Sequence, residues 1–250
     1  MIDIHCHILA ALDDGAGCMD DSLEMAKQAV SQGIDTVIAT PHHRIGICEN
    51  PKEAVLARMT ALKTRLRQES IPLTILPGQE IRLYGEIKDD LERGRLLSLS
   101  GTKYVLIELP YHHVPRYAEK LMFDLLLNGF IPVIAHPERN MEIMENPDRL
   151  YRLVKTGACV QITCSSLTGH FGRNVKKLAR RFIEANLVHF IASDAHNVKV
   201  RSFFFDVLEN EYGPDFLSMF IENAGLLIKN RDIHKITPLP VKKKKLLGLL

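Results

Sequence analysis

Short apolar, β-branched runs alternate along the chain with longer segments of helical period. The runs are Ile2–Ile8, Thr36–Thr40, Leu73–Leu76, Tyr104–Leu109, Pro132–Ala135, Cys159–Thr163 and Val188–Ala192. Between them lie helical patterns such as Ser22–Gln32, Lys52–Glu69, Arg116–Leu127 and Val175–Ala185. Nearly continuous apolar strands, each followed by one helix, predict a parallel sheet buried on both faces. Seven such strands predict a distorted, TIM-like (βα)7 barrel. An open doubly wound sheet would want a Gly-rich phosphate loop after its first strand, and none is present. The unit repeats roughly every 30 residues, which suits a barrel unit.

No linker divides residues 1–230, which are expected to form one domain. Residues 231–250 differ: Pro238 and Pro240 precede Lys242, Lys243, Lys244 and Lys245, then Leu246–Leu250 with Gly248 among the leucines. Two prolines and a lysine run predict an extended, solvated basic tail. Such a tail offers weak contact with an anionic membrane surface, set against the plainer role of aiding solubility.

Composition narrows the class. Apolar residues make up 46% of the 250 and charged residues 25%, as in an ordinary soluble domain. No apolar stretch is long enough for a membrane span, and the strand-like start Met1–Ile4 carries no leader pattern. A net charge of +2 gives no case for nucleic acid. Five cysteines (Cys6, Cys18, Cys48, Cys159, Cys164), with no Cys-x-x-Cys pair, fit free thiols in a reducing cytoplasm.

The candidate chemistry lies where the strands end. His5-Cys6-His7 closes the first run, Pro41-His42-His43 the second and Gln79-Glu80 the third. Glu108 closes the fourth, His136-Pro137-Glu138-Arg139 the fifth and Ser193-Asp194-Ala195-His196 the seventh. Barrels place their chemistry at this C-terminal edge. His5 and His7 share one face of a strand, as do Asp194 and His196, while Cys6 and Ala195 point to the other. One histidine at a strand end is usually a hydrogen-bonded bystander. So many imidazoles and carboxylates at one barrel mouth would be costly to bury without a cation. Imidazole and carboxylate without thiolate suit manganese, iron or catalytic zinc, and the number of ligands implies at least two ions.

Arg139 and Arg201 follow ligand-bearing strand ends, and a planar guanidinium suits phosphate oxygens. Arg44 and Arg116 have weaker claims on the same role. A thiol phosphatase requires Cys-x5-Arg, but the residues six after the cysteines are Leu12, Glu24, Ala54, Ser165 and His170. No Gly-x-Ser-x-Gly elbow is present. Ser165 and Ser166 are expected to be turn residues or to line the pocket.

These residues, together with Asp13-Asp14-Gly15, Gly78-x-Glu80 and Ile107-Glu108, resemble the PHP (polymerase and histidinol phosphatase) family. Within it they are most similar to the protein-tyrosine phosphatases of Gram-positive capsule and exopolysaccharide loci. The resemblance spans Met1 to about residue 230. It implies three ions, usually manganese. One would take His5, His7, Glu80 and Asp194, a second Glu80, Glu108 and His136, and a third Asp14, His42 and His196. Asp14 enters only through the resemblance, and Asp13 is its rival. Arg139 and Arg201 would bind phosphate, although the segment after Arg201 departs from the family pattern. There Phe203, Phe204 and Phe205 are expected to be helix core, with a wall for an aromatic leaving group as the alternative.

The resemblance further implies hydrolysis of phosphotyrosine by a metal-activated hydroxide, without a phosphoenzyme. Its implied target is the tyrosine-rich tail of a membrane-attached kinase that controls polysaccharide assembly. Two other readings share the residues: a small-molecule phosphatase of the histidinol-phosphate type, and a non-catalytic metal-bound regulatory module.

Overall fold

The computed structural model describes residues 1–241. Its elements run in the order β1 (Ile2–Cys6), α1 (Met19–Ser31), β2 (Thr36–Ala39), β3 (His42–His43), α2 (Lys52–Gln68), β4 (Thr74–Pro77), β5 (Glu80–Arg82), α3 (Ile87–Glu92), β6 (Tyr104–Glu108) and α4 (Ala118–Leu127). They continue with β7 (Ile131–Ala135), α5 (Met141–Glu145), α6 (Asp148–Thr156), β8 (Cys159–Thr163), α7 (Cys164–Thr168), α8 (Arg173–Glu184), β9 (Phe190–Ala192), α9 (Phe205–Tyr212) and α10 (Ser218–Ile228). Every strand pair is parallel. The predicted α/β class therefore holds.

The pairing differs from one run of seven strands. It divides into a sheet ordered β1-β2-β4 and a sheet ordered β3-β5-β6-β7-β8-β9. The second and third expected strands are each followed by a further short strand, beyond a break at Pro41 and at Gly78. Pro41 has no N–H to donate to a ladder. At Gly78 the chains run so close that an added Cβ would lie 2.8 Å from Ile38 Cγ2. The first strand of each two pairs toward β1 and the second toward β6. The two sheets meet where Glu80 N donates to Pro41 O at 3.1 Å. At the other margin an isolated bridge joins Cys6 to Ala195, flanked by bonds from His7 N to Ala195 O (2.9 Å) and from Asp194 N to His5 O (2.8 Å).

Alternation along the strands explains the core. Val105, Ile107, Ile134, Val160, Ile162 and Ile191 belong to an outer cluster packed with the helices. Ile4, Leu106, Val133, Ala135, Phe190 and Ala192 face a second cluster, which Ala224 and Leu227 of α10 and Ile233 close. Each such aliphatic side chain contributes about 1.5–3 kcal/mol when fully buried.

Residues 231–241 carry neither helix nor strand and are mostly exposed, with a few anchor points on the body. The Tyr104 hydroxyl donates to Arg231 O at 2.7 Å, His234 N to Asn223 Oδ1 at 2.8 Å and Leu239 N to Ala185 O at 2.8 Å. Ile233 and Val241 are buried. The lysine run from Lys242 and the terminal leucines, expected to meet a membrane surface, lie outside the described residues. No helix among the described residues is long and apolar enough to cross a membrane.

Candidate metal centre

The strand ends gather the expected side chains into one cluster. His5, His7, Glu80, Asp194 and His196 are almost fully buried, and His42 and Glu108 are nearly so. Cys6 turns the other way into the outer core, with Sγ 3.7 Å from Ala195 O. Two members hold left-handed backbone without being glycine, His136 (φ 34°) and Asp194 (φ 53°). Such strain costs about 1–3 kcal/mol and concentrates at functional sites. Neighbouring strands hold it in place, since His136 N donates to Gln161 O and Asp194 N to His5 O, both at 2.8 Å.

Three imidazoles have one nitrogen committed to an acceptor outside the cluster. His5 Nδ1 donates to Gln161 Oε1 (2.9 Å), His7 Nδ1 to Asp13 Oδ2 (2.7 Å) and His196 Nδ1 to Asp194 O (2.9 Å). Each arrangement turns Nε2 toward the centre, where it can bind a cation once it carries no proton, which is how proteins orient metal-bound histidine. His5 Nε2 and His7 Nε2 lie 3.2 Å apart, and each lies 3.2–3.4 Å from Glu80 Oε2 and from Asp194 Oδ1. Four donor atoms at that spacing suit one small cation with bonds of about 2.0–2.1 Å.

Around this set stand the others. His136 Nε2 lies 2.6 Å from Glu80 Oε1, and His42 Nδ1 lies 2.7 Å from Glu80 Oε2. Asp14 Oδ1 faces His42 Nε2 and His196 Nε2 at 3.3 and 3.4 Å. Within single-ion reach the residues group as His7, Asp14, His42 and His196; as His5, Glu80, His136 and Asp194; and as His42, Glu80 and Glu108. The partition expected from the resemblance put His7 with His5, and His136 with Glu108. The structure lets His7 serve either of two neighbouring positions. Besides Glu138 Oε2, four cluster atoms are buried without a well-formed hydrogen bond: His42 Nδ1, Glu80 Oε2, Asp194 Oδ1 and His196 Nε2. Orphans of this kind are rare in proteins, and here all four converge on the place a cation would fill.

Charge in the cluster is balanced by protons and arginines. Burial alone would push His7 down, but Asp13, Asp194 and Glu80 hold its pKa well above the usual value. His196, buried and stacked on His7 with ring centroids 3.8 Å apart, is pushed down to about 4. Against the effect of burial, His42, His5 and His136 hold Glu80 well below the carboxylate range, and Arg139 and His5 do the same for Asp194. The Glu108 carboxylate receives Arg82 Nε at 2.8 Å and Arg44 Nε at 3.1 Å.

The cluster opens into a cavity of about 640 Å³ lined by Asp14, His42, His136, four arginines (Arg44, Arg139, Arg173, Arg201) and an apolar group that includes Tyr111 and Phe171. Arg139 and Arg201 both donate to Asp194 Oδ2, at 2.7 and 2.9 Å. A capsular polysaccharide synthesis model, CpsB/CapC, matches residues 1–229. The chain belongs to the CpsB/CapC family. It is 58% identical to the tyrosine-protein phosphatase YwqE of Bacillus subtilis over 99% of both chains. It is 39% identical to the putative tyrosine-protein phosphatase CapC of Staphylococcus aureus over the whole of both. A crystal structure from work on YwqE and on CpsB of Streptococcus pneumoniae, described as unique metal-dependent tyrosine phosphatases, matches with a TM-score of 0.93. It has 57% identity and covers 97% of this chain and 100% of that one.

In this CpsB/CapC chain several side chains take places the sequence did not assign. Asp13 stands behind His7, while Asp14 reaches His42 and His196, the pair the resemblance gave it. Gln161 orients His5 from the middle of β8, and Arg82 shares Glu108 with Arg44. Ser165 and Ser166 do not line the cavity; with Thr163 they surround the buried Glu138, whose Oε1 accepts from Ser166 Oγ at 2.7 Å. Arg116 is exposed and is not among the cavity residues. Phe203 and Phe205 are core, and none of the three phenylalanines lines the cavity. The aromatic wall is instead Tyr111 and Phe171, which lie in loops where no periodic signal marks them.

Proposed function

We propose that this protein is a metal-dependent protein-tyrosine phosphatase that releases phosphate from phosphotyrosine. The observation that carries the reading is the convergence of Arg139 and Arg201 beside the histidine–carboxylate cluster, at the floor of one cavity. Bound ions would activate water and neutralise phosphate charge. His5, His7, Glu80 and Asp194 would hold one, Glu80, Glu108 and His136 a second, and Asp14, His42 and His196 a third. Manganese is the ion proposed, with iron or zinc compatible with the same ligands. The bridge between Cys6 and Ala195 and the bond between Glu80 and Pro41 support a reading of the two sheets as one distorted seven-stranded barrel. Residues 1–230 would form its domain.

Arg139 and Arg201 would orient the phosphate and stabilise charge on its oxygens during transfer. Each keeps guanidinium N–H groups beyond those spent on Asp194. The cysteines are idle in this scheme. Burial pushes the thiols of Cys6 and Cys164 well up and that of Cys159 up to about 11, so none of these three is a ready nucleophile. The proposed substrate is a phosphotyrosine protein in the cytoplasm, the tail of a membrane-attached tyrosine kinase. Steady-state phosphate release from phosphotyrosine peptides, matched phosphoserine peptides and histidinol phosphate, with manganese, tests the assignment. Preference for histidinol phosphate would overturn it.

A further inference from the structure

Tyr111 is 59% exposed and Phe171 is half-buried, although both are large aromatics. Neither belongs to the closed core; both line the cavity that contains Arg139, Arg201 and His136. Phe171 is set there by its backbone. It lies between Gly169, which is left-handed (φ 90°, ψ 12°), and Gly172 (φ 90°, ψ 165°), two positive-φ conformations that other residues adopt only with strain. The Phe171 ring is then capped by the Arg139 guanidinium, with Cζ 4.8 Å from the ring centroid. The cavity lining is therefore partly apolar and aromatic, and Phe171 lies against the arginine that faces the phosphate position. Leu109 and Met144 also line the cavity.

We infer that Phe171 and Tyr111 form the seat for the aromatic ring of the substrate, so that the site selects aryl over alkyl phosphate monoesters by contact with the ring. The inference rests on the phosphatase reading for its phosphate end. In an aryl phosphate the ring is bonded directly to the ester oxygen. A phosphate held by Arg139 and Arg201 thus carries its ring next to the side chain that Arg139 covers. A serine ester has no group to cover that lining and leaves it wet. Aromatic pairs gain from offset or edge contact, and the exposed Tyr111 can close on the ring from the mouth.

The test compares binding of phenylphosphonate and methylphosphonate, which cannot be hydrolysed, by calorimetry on the manganese-loaded protein. The variants are Tyr111→Ala, Tyr111→Phe and Phe171→Leu. The ring seat predicts that Tyr111→Ala and Phe171→Leu weaken phenylphosphonate roughly three- to tenfold, the worth of one aromatic contact, and leave methylphosphonate unchanged. Tyr111→Phe should bind both like the parent chain. Equal weakening of both phosphonates would show that Phe171 acts only by holding Arg139, and would overturn the inference. Unchanged binding of both would overturn it equally. Hydrolysis of phenyl phosphate and ethyl phosphate by the parent chain is measured alongside. Turnover of neither would refute the phosphatase reading, while the phosphonate comparison still judges the seat.

Discussion

Asp13 and His7 meet at 2.7 Å, carboxylate Oδ2 to imidazole Nδ1, on the side of His7 that faces away from the cluster. The same oxygen accepts the backbone N–H of His42 at 2.8 Å, and Oδ1 accepts from Gly15 N at 2.9 Å. A single carboxylate therefore fixes the loop after β1, the tautomer of His7 and the start of β3. An added Cβ at Gly15 would fall 2.2 Å from His7 O, so the loop closes this tightly only with glycine there.

Asp13→Asn should leave the fold intact and loosen the site. Loss of the charge behind His7 makes Nε2 a poorer and less firmly aimed donor, which typically costs 10- to 100-fold in metal affinity. Manganese titration of the metal-stripped variant, followed by calorimetry, checks this. Affinity equal to the parent chain would remove Asp13 from the machinery.

Arg139→Ala should lower kcat by roughly 10²-fold or more, the usual loss for a transition-state donor. Its metal content should stay close to that of the parent chain, because Arg139 touches Asp194 through Oδ2 and leaves Oδ1 free. Elemental analysis beside steady-state rates separates the two effects. Metal loss in step with rate would make Arg139 a structural counter-ion of Asp194.

The raised pKa of His7 gives metal uptake a sign. Without a cation this imidazole holds a proton at neutral pH, stabilised by Asp13, Asp194 and Glu80. That contribution to the stability of the metal-free fold is present below the ordinary histidine value of about 6.5. It is lost as pH rises through the elevated folded value. A metal ion must displace the proton, so manganese affinity should rise with pH across neutrality. Binding at pH 7 should release protons, detected as a dependence of the calorimetric heat on buffer ionisation enthalpy. Heat that is independent of the buffer would contradict the assignment.

Much of this site was legible because strand period fixes the direction of side chains. His5 and His7 had to share a face, and Cys6 had to leave it. The strands themselves declared their class through unbroken apolar runs, but the short strands after Pro41 and Gly78 were not read. Asp13 and Asp14 were not separable by any period, since a turn decides which carboxylate looks inward. Gln161 left one clue, a polar residue in the centre of an otherwise apolar strand. Tyr111 and Phe171 left none, because two irregular loops bring them to the cavity from 60 positions apart in sequence. Of the two readings of the Phe203–Phe205 run, burial and an aromatic wall, the structure bears out burial for Phe203 and Phe205.

Metal dependence is the central claim, and removal and return of the ion test it most directly. Chelated protein should lose hydrolysis of phosphotyrosine, and manganese should restore it, with circular dichroism showing that the fold persists between the two. Glu80→Ala should abolish restoration more completely than His42→Ala, because Glu80 Oε1 and Oε2 face different histidines. Alkylating the accessible thiols, Cys18 and Cys48, should leave the restored rate largely intact. Activity that survives thorough metal removal and dies on alkylation would contradict the account.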